Sequence, residues 1–132
     1  MRLFDDHRPV EEAYWRETGI FPIMHTIAIR GAILERFPWI AMALLKAFEE
    51  AKRGSLARLA EMTASRYPMP WIQNILRDTQ ALFGPDPWPY GVEANRGTLE
   101  TFVRYAIEQG ICRAPITVDE LFPREVGASF RI

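Results

Sequence analysis

The sequence predicts a mainly α-helical chain with one orphan β-strand, a piece of a larger α/β protein. Three observations lead there. Apolar residues recur at helical spacing through most of the chain. One stretch, Gly19-Ile20-Phe21-Pro22-Ile23-Met24-His25-Thr26-Ile27-Ala28-Ile29-Arg30, breaks that pattern and reads as a strong strand. Phe21, Ile23, Ile27 and Ile29 would line one face and Met24, Thr26 and Ala28 the other, so neither face suits water. A strand apolar on both faces fits the middle of a doubly covered sheet. Its N–H and C=O groups need a ladder, yet no second run in the chain offers one. His25 falls on the isoleucine face.

Length and charge narrow the class. At 132 residues the chain suits one compact domain with a sizeable core. Its 48% hydrophobic and 25% charged residues are those of an ordinary soluble globular protein. A formal net charge of −1, with no run of Lys and Arg, argues against a nucleic-acid partner. No apolar run approaches a membrane span, so no membrane partner is expected. Met1-Arg2-Leu3-Phe4-Asp5-Asp6-His7-Arg8 is no signal peptide, which points to the cytoplasm. A signal on a missing N-terminal part would instead make the protein periplasmic. The lone Cys112 excludes an internal disulfide framework and reads as a small structural residue.

Punctuation residues mark the elements in order. Asp5 or Asp6 can cap a helix over 9–17, closed by Gly19. The strand follows, then a helical piece over 32–36 running into Phe37-Pro38. Pro38 opens a long helix over 39–53 whose Ile40, Leu44, Ala47, Phe48 and Ala51 form a core face. Ser55 can cap a continuation through Leu56, Leu59, Ala60 and Met62, ending by Tyr67-Pro68. Pro70 opens another helix in which Trp71, Ile75, Leu76, Thr79 and Leu82 share a face before Gly84. Three prolines stiffen the aromatic loop Gly84-Pro85-Asp86-Pro87-Trp88-Pro89-Tyr90-Gly91. Asn95 is the expected cap of a helix over 98–109 ended by Gly110. Thr117-Val118-Asp119-Glu120 is a capping box for a last turn at Leu121-Phe122. Short connections suggest a single packed body from Pro9 to Phe122.

Motif searches leave little. There is no phosphate loop, nucleophile elbow or metal-ligand spacing, and His7 and His25 sit on separate elements without a nearby Cys. Two weaker constellations remain. The first is His25 with Arg30. The plain reading of His25 is a core histidine tied to a backbone carbonyl; the functional one is a proton donor or ligand contact. Arg30 suits either a surface ion pair or a two-pronged grip on a carboxylate. The second is Trp88-Pro89-Tyr90-Gly91-Val92-Glu93-Ala94-Asn95-Arg96. Rigid aromatics beside a helix N-terminus can form an apolar wall with polar groups converging on an anion. Equally, Trp88 and Tyr90 can plug a helical layer and Asn95 serve only as a cap.

The order of these blocks is informative. Gly19 to His25, Phe37-Pro38-Trp39, Trp88 to Arg96, Thr98-Leu99-Glu100, Tyr105-Ala106-Ile107-Glu108-Gln109-Gly110 and Glu120-Leu121-Phe122 together resemble the C-terminal part of the 4,5-dihydroxyphthalate decarboxylase family. The likeness runs from about Leu3 to Phe122. It implies a C-terminal domain or fragment, residues 1–132, of a longer two-lobed α/β protein like the type II periplasmic binding proteins. The orphan strand would then be a return strand that pairs with the missing part. The implied reaction is loss of CO₂ from a dihydroxylated aromatic dicarboxylate, giving a dihydroxybenzoate.

Such a reaction needs a general acid at the ring carbon, cations on the second carboxylate and a dry pocket. His25 is the candidate acid, Arg30 or Arg96 the anchor, and Tyr90 the ring wall, with Trp88 and Asn95 beside it. No organic cofactor is demanded, and the residues leave open whether a metal assists. Two other classes compete: a non-catalytic solute-binding lobe that captures a small anion, and a structural helical fragment without activity. The unpaired edges of the strand also predict a homodimer or higher oligomer through Phe21 to Ile29. Light scattering at micromolar concentration should report more than one chain per particle; a monomer with the strand covered by its own chain would exclude that assembly.

Overall fold

The computed structural model describes residues 3–61, 63, 67–112 and 115–127. It is mainly helical: α1 (His7–Thr18), α2 (Gly31–Arg36), α3 (Ile40–Ala60), α4 (Ile72–Phe83), α5 (Val92–Glu108) and α6 (Val118–Leu121), then a 3₁₀ turn, Arg124–Val126. The chain divides into two compact units, Met1–Ile29 with Val92–Ile132, and Arg30–Gly91.

In the first unit, α1 begins after Asp6 and ends at Gly19. Gly19 takes φ +66° and its N–H donates to the Trp15 carbonyl at 2.8 Å, a left-handed stop that favours glycine. Glu12 accepts from Arg8 at 2.7 Å and from Arg16 at 2.9 Å, one helical turn to either side. No residue of α1 is buried.

The core lies on α5. Val92, Leu99 and Val103 share a helical stripe and pack with Val118 of α6, flanked by Ile116, Phe122 and Val126. α5 starts at Val92, earlier than expected, so Asn95 is inside its first turns and is not the cap. Glu93 in the first turn suits the positive end of the helix. After α5, the N–H groups of Ile111 and Cys112 both donate to the Ala106 carbonyl. The capping box at α6 forms as expected. The Thr117 N–H and hydroxyl both donate to Glu120 Oε2 at 2.8 Å.

The expected strand does not form. Residues 20–30 have no regular secondary structure, and no strand occurs among the described residues. Met24 is 81% exposed and Ile27 64%, so the faces read as doubly covered are open. The physical reason is the missing ladder: an extended segment cannot satisfy its own backbone, and nothing among the described residues supplies a second strand.

In the second unit, α3 packs against α4. α3 is a single helix of 21 residues running through Gly54 and Ser55, so Ser55 caps no separate continuation. Met62, expected to extend it, lies outside the described residues. Its covered side is also rotated from the expected one. Ala41 is buried, and Leu44, Leu45, Lys52 and Leu56 are half-buried, whereas Ala47, Phe48 and Ala51 face solvent. α4 starts at Ile72 and covers Leu76, Thr79 and Leu82 in part, but Trp71 and Ile75 remain exposed. Trp71 itself stands before the helix at φ +66°, a left-handed conformation that is costly for a bulky side chain.

These differences fix where stability resides. Leu99→Ala should lower the unfolding free energy by about 2–5 kcal/mol, as for a truncated core leucine. Ile27→Ala, at an open site, should change it by about 0.5 kcal/mol or less. Urea denaturation of the two variants checks the contrast.

Candidate functional site

The aromatic loop of the second unit is organised around Lys52. Its ammonium, at the middle of α3, donates to Asp86 Oδ2 at 2.7 Å and to the Trp88 carbonyl at 2.9 Å. Glu49, three residues before Lys52 on α3, places Oε2 at 3.1 Å. The same ammonium lies 4.4 Å from the centroid of the Tyr90 ring, within cation–π range. Asp86 Oδ1 accepts the Trp88 N–H at 3.3 Å. The Trp88 and Tyr90 side chains stay exposed above this hub. The cation thus lies against the Tyr90 ring and the Trp88 backbone.

Arg96 organises the first unit in a similar way. Its Nη2 donates to Glu93 Oε1 at 2.5 Å and to Asp119 Oδ1 at 2.9 Å, and its Nε faces both Glu93 oxygens at 3.2 Å. Glu100 lies 3.7 Å from Nη1. The guanidinium thus ties α5 to the start of α6. Its hydrogen bonds to Glu93 and Asp119 hold Arg96 protonated above its ordinary range, and the Arg96 hydrogen bond holds the Glu93 carboxyl below its own. Beside this cluster an open groove of about 460 Å³ runs between α5 and α6, lined by Arg96, Val103, Ile107, Ile116 and Asp119. Open to solvent, it does not supply the dry surroundings that ring decarboxylation needs.

The six sequence-predicted residues are placed as follows. Trp88 and Tyr90 stand together at the Lys52 hub. Asn95, half-buried, and Arg96 lie on the first turns of α5. His25 is exposed on the irregular segment between α1 and α2. Arg30, also exposed, is the N-cap of α2, and its carbonyl accepts from Ile33 and Leu34. Neither the His25 nor the Arg30 side chain has an ion pair or hydrogen bond among the described residues.

Sequence reasoning passed over Lys52 and Asp86. Asp86 carried a readable signal, since a carboxylate held between two prolines is a rigid acceptor. Lys52 carried none, because lysines on helices usually face water. Among the described residues, no group of three His, Cys, Asp or Glu could hold a metal ion, and no helix is long and apolar enough to cross a membrane.

The carboxylates give the stability a pH dependence. Glu12, Glu93 and Glu120 all titrate below the ordinary value of 4.5, through hydrogen bonds from Arg8 and Arg16, from Arg96 and from Thr117 respectively. A depressed carboxyl contributes stability that is complete above its unfolded value and is lost as pH falls through the folded one. The urea midpoint should therefore decline below about pH 4.5. Arg96→Gln should flatten part of that decline by releasing Glu93. An unchanged acid profile in the variant would deny the pairing.

No family profile matches the chain. The chain is 33% identical over 130 residues to 4,5-dihydroxyphthalate decarboxylase from Comamonas testosteroni. The match covers 98% of this chain and 39% of that protein. The chain thus spans about two-fifths of its relative's length. The alignment spans nearly the whole of this chain, which is similar to part of a 4,5-dihydroxyphthalate decarboxylase.

Proposed function

We propose that this chain is the C-terminal part of an aromatic-acid decarboxylase whose substrate is a dihydroxylated aromatic dicarboxylate. The supporting observation is identity of 33% across 98% of the chain to a protein bearing that name. In this reading the complete protein is a two-lobed α/β body of the type II periplasmic-binding-protein kind. Residues 21–29 become a strand there when the rest of the protein supplies a ladder. The open side chains of Ile23, Met24 and Ile27 suit a segment that such a ladder would cover. In the chain alone, a second copy would serve as the partner, giving the oligomer expected from the strand.

The chemistry follows from the residue types. His25, as imidazolium, delivers its proton to the ring carbon that bears the carboxylate, while a ring hydroxyl pushes electrons toward that carbon. The bond to the carboxylate then breaks, its electron pair restores the aromatic ring, and CO₂ departs. The imidazole recovers a proton from water. Trp88 and Tyr90 provide the wall against the ring, and Asn95 of α5 supplies a polar contact. Arg30 is the readier carboxylate anchor, being without an ion pair among the described residues. Arg96 could serve only by exchanging Glu93 or Asp119 for substrate.

The 132-residue chain alone should release no CO₂ from 4,5-dihydroxyphthalate, because reacting groups must be held to within about an ångström. In a protein completed to the relative's length, His25→Asn should lower turnover by roughly two to four orders of magnitude while folding and binding persist. Arg30→Gln should instead raise KM and spare the rate at saturation. A His25→Asn protein with normal turnover would remove this mechanism.

A further inference from the structure

We propose that Lys52 is a positioning residue that clamps the aromatic loop to α3 and sets how Trp88 and Tyr90 face a ligand. The proposal rests on the reading of that loop as the ring wall. A loop with Pro85, Pro87 and Pro89 has lost three backbone donors, so it is poorly equipped to organise itself. Order has to come from outside, and Lys52 provides it. An ammonium has three N–H groups, and three acceptors surround this one: Glu49 on its own helix, and Asp86 and the Trp88 carbonyl on the loop. The Lys52 side chain is only 10% exposed, which places these contacts partly out of water.

The clamp grips both ends of the aromatic pair. It holds the backbone of Trp88 through the carbonyl, and Asp86 returns a bond to the Trp88 N–H. It also lies against the ring of Tyr90. Lys52 therefore faces the loop from below and leaves the outer surfaces of both rings open. Those surfaces are what a flat aromatic ligand would meet. The lysine acts through these rings and need not touch the ligand.

The test uses the chain with Trp15, Trp39 and Trp71 replaced by phenylalanine, so that Trp88 is the sole tryptophan. Lys52→Met keeps the aliphatic stem and removes the donors. It should lower the fluorescence anisotropy of Trp88 and raise its quenching by acrylamide at least two-fold, with helical circular dichroism unchanged. Lys52→Arg should restore most of the difference. Asp86→Asn, which leaves α3 intact, should loosen Trp88 in the same direction even if Lys52→Met disturbs the helix. Unchanged anisotropy and quenching in both Lys52→Met and Asp86→Asn would overturn the proposal. A second arm titrates 4,5-dihydroxyphthalate against a decarboxylase completed to the relative's length. Lys52→Met should weaken its binding several-fold, and Lys52→Arg should recover it. A looser Trp88 with unaltered binding would overturn the ligand-facing role and the loop's part in the proposed site. The absence of any binding by the unsubstituted completed protein would overturn the proposed function, leaving the clamp itself to the fluorescence result.

Discussion

A helix satisfies its own backbone and a strand does not; the form of this chain follows from that difference. Each helical segment closes its N–H and C=O groups internally and needs neighbours only for its apolar side. Residues 20–30 have side chains as apolar as any in the protein, but their backbone cannot be completed locally. Hydrophobicity alone is not enough to bury them. Helices therefore form where the pattern allows, and the most apolar extended stretch lies open.

Within each unit, one cation joins distant parts of the sequence. Arg96 links α5 to the capping-box turn that carries Val118 into the core. Lys52 links α3 to the proline-rich loop. Both sit among acidic partners, yet their surroundings differ. Arg96 is the more exposed, with a side chain at 32%, so salt and water screen its pairs. Its network contributes alignment more than energy. The Lys52 side chain is largely covered, and leaving its partners unmatched there is costlier.

Much of the helical layout was legible because caps and stops act over a few residues. Gly19, Gly110 and the Thr117–Glu120 box each end or begin an element through a bond to a near neighbour. What stayed hidden depended on remote residues. The face of α3 was misjudged by part of a turn because what covers it is set by packing, not by its own periodicity. Asn95 resembled a cap because Asn is a good one, but the chain enters its helix at Val92. The strand was the largest departure, since a ladder is a property of two segments and the described residues offer no second one. As for the site, residue type nominated Trp88 and Tyr90, while Lys52 emerged only once α3 and the loop could be seen side by side.

The first unit is discontinuous in sequence: Met1–Ile29 and Val92–Ile132 belong together, with Arg30–Gly91 inserted between them. On a ribosome the opening segment emerges well before its companions, whereas the inserted unit arrives as one uninterrupted stretch. Bringing the two separated pieces together adds little entropy cost, because loop closure grows only with the logarithm of length. The consequence is one of timing. Met1–Ile29 must wait through synthesis of the whole insertion before the other segment of its unit can join it.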